Sequence, residues 1–335
     1  MKTMQIERMG VNPKWEKRWK KTLRNMNDPR WSEINADTAH NFSEYASTGI
    51  IPEEVKARQT YEPSTEVFDP PFFPWETVYL SMEGYANMRT YEFEKQSIAT
   101  GWSAELAMQS FTASYISVYK EHYKRYLFGI RFNGRILTIS LKDTPFTALG
   151  MIIGCKEEAS KLARMQLVAH RKGFYYKDKY PIYNFVLRIM ADYLNESPLE
   201  LTGESLTEPI FNALFDHWRA SDLDSLSSIC LAACDFHTHR CKPDVRNEWY
   251  EFNNGEWHKF PFEILLVFKL RQLLGLKNPV IDHPLMNTPL GVLPTQDATF
   301  APDELITRVR ARMVQDGFDE QLIYKRCSRL NLQLV

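Results

Sequence analysis

The chain has 335 residues, of which 44% are hydrophobic and 25% charged, with a net charge of −1. That balance is ordinary for a soluble globular protein, and the length admits two domains or one large helical array. Only 14 glycines weigh against glycine-rich all-β or phosphate-loop architectures, and no Walker, dinucleotide-binding or G-x-S-x-G pattern occurs.

The first residues carry Lys2, Glu7 and Arg8 and then a Lys/Arg/Trp run, without the apolar core of a signal peptide, and no apolar run reaches membrane-spanning length. Five cysteines, an odd number, do not suggest a secreted disulfide framework. These features predict a cytoplasmic protein with reduced thiols and no membrane partner.

In chain order, Pro13 to Asn25 reads as a basic helix with Trp15 and Trp19 stacked on one face. A polar stretch broken by Asp28-Pro29, Ile51-Pro52 and the proline-rich region 63–74 follows. Residues 1–74 are therefore expected to be an N-terminal arm, leading to a helical domain over 75–335. Trp75 to Gln96 and Ser103 to Leu127 have helical spacing, the second with His122 on its apolar stripe and a ridge of Tyr115, Tyr119, Tyr123 and Tyr126. His122 in such a stripe is read as a satisfied interhelical histidine. Alternation around Asn133-Gly134 predicts one small β-hairpin over 128–141.

Beyond Asp143-Thr144-Pro145 the chain reads as helical pairs: Phe146 to Ile153, a turn at Gly154-Cys155, and Glu157 to Arg171 closed by Gly173. Stripes through Ile182 to Tyr193, Phe211 to Trp218 and Leu223 to Cys234 continue the pattern. The most apolar stretch, Phe260 to Leu276, should be a central helix surrounded by neighbours, started by Pro261 and stopped by Gly275. Its flanks, Trp257-His258-Lys259 and Asp282 to Met286, are where chemistry near it would be exposed. Asp303 to Gln315 and Phe318 to Ser328 complete a mainly α fold of stacked helical hairpins, as a bundle or array.

Charge is segregated along the chain. Lys14 to Arg24 holds six basic residues against Glu16, whereas Asp192 to His239 holds nine acids balanced only by Arg219. Carboxylates sharing one surface would attract a cationic partner, although a solvated helical face is the plainer reading. Cys230, Cys234, His237, His239 and Cys241 have metal-ligand composition, but Cys230 and Cys234 continue an apolar stripe and the spacing lacks separated ligand pairs. Cys155 precedes Glu157 and Glu158, which disfavour a reactive thiolate. The aromatic loop with Trp249, Tyr250, Phe252 and Trp257 beside the acidic segment suits a protein interface.

One layout carries a family resemblance: a helix ending Ala232-Ala233-Cys234-Asp235-Phe236-His237, an aromatic loop to Trp257, Phe260 and Glu263, the long apolar helix, Gly275-Leu276, and Asp282-His283-Pro284-Leu285. It resembles the closing region of helical immunity proteins from bacterial polymorphic-toxin and type VI secretion systems, and the helical pair at 146–171 with the strands before it is similar to a second such family. The resemblance implies a non-enzymatic protein without cofactor that binds a cognate toxin, in these families a nuclease, and occludes its active site or substrate path. The partner surface is then expected at Glu200, Glu204, Glu208, Asp222, Asp224, Asp235, Asp244, Glu248, Trp249, Tyr250 and Trp257, with nucleic acid not expected as a partner and a homodimer left open. Two alternatives stand beside it: a metal-dependent hydrolase on the Cys230 to Cys241 cluster, and a helical scaffold binding nucleic acid through its basic segments.

Overall fold

The computed structural model describes residues 7–50, 79–128, 131–132, 135–136, 143–173, 175, 180–199, 208–246, 248–253 and 257–319. Its elements are α1 (Trp15–Met26), α2 (Pro29–Thr48), α3 (Tyr79–Thr100), α4 (Ala104–Phe128), β1 (Arg131–Phe132), β2 (Arg135–Ile136), α5 (Thr144–Ile152), α6 (Lys156–Arg171), α7 (Pro181–Tyr193), α8 (Pro209–His217), α9 (Leu223–Arg240), α10 (Phe262–Leu273) and α11 (Glu304–Gln315). The chain is mainly helical. The hairpin expected over 128–141 does not form an element of that extent among the described residues; β1 and β2 pair over two residues each.

Local chemistry accounts for many of the boundaries. Prolines open α2, α5, α7 and α8, where the missing N–H costs nothing and the fixed φ suits the first turn. Asp222 caps α9 by accepting from the backbone N–H groups of Asp224 and Ser225, and Asp303 caps α11 through Ile306 N–H at 2.8 Å. Gly154, at φ 96°, makes the tight turn between α5 and α6. Pro29 was expected to break the chain, but it begins the 20-residue α2, because a proline that interrupts a helix interior is harmless in its first turn.

Successive helices pack as neighbours: α3 on α4, α5 on α6, α6 on α7, α7 on α8 and α8 on α9. α10 lies against α5 and α7, and α11 closes against α2 and α4. α5 approaches α4 so closely that a methyl group at Gly150 would stand 2.3 Å from the Phe111 ring. Residues 262–271 of α10 are all buried, including Glu263, Lys269 and Arg271. Burying each of its large apolar side chains stabilises the fold by about 1.5–3 kcal/mol before entropy is charged against it. Arg271 is accommodated by the carbonyls of Trp218, Ala220 and Lys277, so its charge is solvated by backbone dipoles.

A single cluster of buried side chains runs from Trp15 through Phe42 and Tyr45 to Phe318. The boundary expected at residue 74 lies outside the described residues; on its N-terminal side, α1 and α2 contribute to this same core. Tyr45 donates to Asp316 at 2.9 Å and Phe42 packs on Tyr85 with ring centroids 4.9 Å apart. His122 bonds the Val118 carbonyl of its own helix at 2.9 Å and the Tyr175 hydroxyl, beyond the end of α6, at 2.7 Å, so it is satisfied as expected but by these partners rather than by a neighbouring helix. Of the expected segment 318–328, all beyond Asp319 lies outside the described residues.

The flanks of α10 differ from expectation. Trp257, His258, Lys259, His283, Leu285 and Met286 are buried, and only Asp282 and Pro284 of the two flanks are exposed. The apolar surface of α10 needs cover at both ends, and these residues supply it.

Candidate functional site

The described acidic residues separate along α9. Asp222 and Asp224 lie at its N-terminus, whereas Asp244 and Glu248 follow its C-terminus, roughly 27 Å away at 1.5 Å per residue. Asp235, between them, is fully buried and faces inward. Glu196 pairs with Arg164 and Arg171, Asp192 with Arg219, and Asp216 with Arg188. Most of the charge in this stretch is thus neutralised within the fold, and the continuous acidic surface does not form among these residues. Glu200 and Glu204 lie outside the described residues.

What the fold does bring together is a polar and aromatic cluster where α9 ends. Arg240, in the last turn, binds the Glu251 carboxylate and the Trp249 carbonyl, and its guanidinium lies 4.6 Å from the Tyr250 ring centroid. Lys242 sits over the other part of that environment, 4.0 Å from the same ring. Asp244 accepts from Tyr180 Oη at 2.5 Å, Asn253 Nδ2 at 2.7 Å and the Tyr250 backbone N–H at 2.7 Å. Those three donors tie down the described residues of the loop, 244–246 and 248–253. A pair of backbone hydrogen bonds between Val245 and Glu248, 3.0 and 3.1 Å, closes its tip.

The tip is exposed. Val245 is 56% accessible, Arg246 and Glu248 are exposed, and Trp249 is half-buried, while Tyr250 beneath them is buried and donates to Glu248. Glu208, which caps α8 through Ile210 N–H, belongs to the same neighbourhood: burial, and then the nearby Glu251, push its carboxyl above the ordinary range. Burial does the same to Glu251, opposed by its bond to Arg240. The cluster is charged and aromatic, rigid at its base and open only at the tip. Glu251 is buried and already paired with Arg240, while the exposed charges at the tip, Arg246 and Glu248, are of opposite sign.

Of the residues expected to form a partner surface, Glu208, Asp244, Glu248, Trp249 and Tyr250 meet here. Trp257 does not; it is buried among Phe146, Phe260 and Phe262. Arg240, Glu251, Tyr180 and Asn253 were missed. The one signal in the sequence was the cation in the last turn of α9, a position that favours positive charge.

The cysteine and histidine cluster takes a different arrangement. Cys230, Cys234 and Cys241 are buried, and burial pushes the Cys230 thiol up to about 12 and those of Cys234 and Cys241 well above their ordinary value. His237 is enclosed between Glu263 Oε1, 2.9 Å from Nδ1, and the Trp257 carbonyl, 3.0 Å from Nε2, with Phe252 stacked on its ring at 3.6 Å. Nε2 must donate to that carbonyl and Nδ1 faces the Glu263 carboxyl group, so both ring nitrogens are engaged within the fold. His239 contacts the Gly10 carbonyl and Asn12. Among the described residues no group of three or more histidine, cysteine or acidic side chains is placed to hold a metal ion.

The N-terminal segment completes the surroundings of α9. Arg8 and the Gly10 N–H bind Asp235, Asn12 N–H donates to Thr238, and Trp15 Nε1 donates to the His258 carbonyl at 2.9 Å. Asp235 also receives His283 Nε2 at 3.2 Å. Burial pulls the Asp235 carboxyl upward, but the Arg8 and Gly10 hydrogen bonds outweigh it and hold the group below its usual range.

The class defined at this point is a mainly helical protein with a rigid, acid- and aromatic-bearing loop at one helix end. A scan against family models returns no match, nor does a search of curated proteins or of solved structures.

Proposed function

We propose that this protein is a non-catalytic binding protein of the immunity class, which captures a toxin bearing a basic surface and blocks its active site or substrate path. The observation that carries this reading is the loop 244–253. Three donors on Asp244 hold it in place, so its exposed tip meets a partner without a large ordering cost. Val245 and Trp249 supply apolar contact, Glu248 and Arg246 supply charge of both signs, and burial of a Trp anchor within a polar rim is the pattern of a binding hot spot. No helix among the described residues is long and apolar enough to cross a membrane.

The test is protection in cells. The protein is co-expressed with the product of the adjacent reading frame, and growth is compared with the Glu248→Lys, Val245→Asp and Trp249→Ala variants. Wild type relieves growth arrest and each variant relieves it less, with unchanged thermal stability for Glu248→Lys and Val245→Asp. A harmless neighbouring product, or full protection by all three variants, would remove the proposal.

A further inference from the structure

α1 is divided into two faces by its spacing. Trp15 and Trp19, four residues apart, are 1% and 4% accessible and anchor the helix. Lys14, Lys17, Lys20, Lys21 and Arg24 are all exposed. Offsets of 0, 3, 7 and 10 from Lys14 place Lys17, Lys21 and Arg24 on one stripe with it, and Lys20 lies beside them. At 1.5 Å per residue the stripe is roughly 15 Å long.

These cations are uncompensated. Among the described residues none of the five has a carboxylate partner. The only acid in α1, Glu16, is taken by Lys259, whose ammonium also covers the Trp15 ring at 3.6 Å. Arg18, on the inner edge, is spent on the Cys241 carbonyl at 3.3 Å. The fold therefore fixes the apolar side of α1, pairs its one carboxylate with Lys259 and leaves five exposed cations, Lys14 at the N-cap and four within the helix.

We infer that the exposed face of α1 is a docking ridge for the phosphate backbone of duplex nucleic acid, bound without regard to sequence. Charge complementarity names the occupant: a row of fixed cations fits a polyanion carrying one charge per about 1.7 Å of its axis. Two features select the duplex backbone over other polyanions. Both tryptophans are turned inward, so the helix offers no aromatic platform on which unpaired bases could stack. They also leave the helix no apolar face to insert into lipid; Met9 and Val11 before it are the exposed apolar residues nearby. The family resemblance under which nucleic acid is not expected is carried by residues beyond this helix and gives α1 no role. The ridge uses no residue of the loop 244–253 and does not depend on the immunity reading.

The test is fluorescence anisotropy of labelled duplexes of two unrelated sequences, titrated with the full-length protein at several salt concentrations. Wild type should bind both alike and lose about a hundredfold in affinity between roughly 50 and 200 mM salt, the loss expected for about four phosphate contacts. The Lys17→Gln/Lys21→Gln/Arg24→Gln variant should retain the wild-type circular dichroism spectrum and reduce the slope of log affinity against log salt by about 2.7. The corresponding Glu triple should abolish binding, whereas the charge-matched control Lys95→Glu/Lys172→Glu/Lys277→Glu should bind with an affinity within about threefold of wild type, since scattered surface charges act only through a screened field. No wild-type binding at the lower salt, equal losses from the ridge and control triples, or binding to vesicles rich in phosphatidylglycerol with none to duplex would each overturn the inference.

Discussion

Arg8 grips Asp235 across 227 residues of sequence, with Nε 2.5 Å from Oδ2 and the second guanidinium nitrogen 3.2 Å from Oδ1. The carboxylate is fully buried while the Arg8 side chain is 43% exposed, so the two ends of the contact respond differently to mutation. Arg8→Ala strands a buried charge that only Gly10 N–H and His283 still support; Asp235→Asn strands nothing charged that water cannot reach. With discount for the exposure of Arg8, its loss should cost about 1–3 kcal/mol. In an Arg8→Ala background, Asp235→Asn should then cost less than in wild type, with a coupling of about 1 kcal/mol or more in urea denaturation. Strict additivity would show that the contact contributes nothing. The depressed Asp235 carboxyl adds a pH signature: the stability it contributes is present above the unfolded value of 3.8 and disappears as pH falls below it.

His258 titrates in a different window. Burial, followed by the nearby His237 and Arg18, pushes its imidazole down to about 3, against a smaller upward pull from the Phe252 backbone. The unfolded chain takes up a proton near pH 6.5 and the folded one does not, so stability falls as pH drops from about 6.5 toward 3. By pH 5 the loss should be about 2 kcal/mol. A His258→Leu variant should lose that part of the slope between pH 7 and 5; an unchanged slope would place the acid sensitivity elsewhere.

Gly150 is tested by adding a single carbon. A methyl group there meets the Phe111 ring at 2.3 Å, and both sides are buried, so Gly150→Ala should destabilise by about 1–3 kcal/mol. Phe111→Leu in the same chain should recover part of that loss, although Phe111→Leu alone is destabilising. Independent, additive effects would mean that α4 and α5 separate easily.

The thiols should be silent in the native state. Burial pushes Cys155 and Cys230 up to about 12 and raises Cys234 and Cys241 strongly. With a thiol-specific disulfide reagent at about pH 8, no more than one of the five cysteines should react before denaturant is added, and all five after. Rapid modification of two or more native thiols would contradict the packing around α9.

The sequence reveals most where structure depends on near neighbours. The stripe from Ile182 to Tyr193 and the apolar run from Phe260 have periodicity or density that only a helix packed on others satisfies, and α7 and α10 form there. α2 is polar and begins at a proline, so nothing local separates it from a loop, and its packing on α3 and α11 is what gives it a place. The same distinction holds for the site. Asp244, Glu248, Trp249 and Tyr250 are neighbours in sequence and could be read as a group, whereas Tyr180 reaches Asp244 across 64 residues. His237 has the composition of a metal ligand; that it meets Glu263 instead depends on a side-chain contact between α9 and α10 across 26 residues that no local pattern encodes.

The bond from Trp15 to the His258 carbonyl spans 243 residues. During translation at about 5–20 residues per second, the nascent chain would present Trp15 and Trp19 unburied for roughly ten to fifty seconds before their cover is made. Throughout that interval the segment 15–26 has both its apolar and its basic side chains open to solvent. A ribosome-associated chaperone that holds short aromatic and basic segments would have its longest opportunity at this helix, so yield on expression should depend on α1 more than equilibrium stability does.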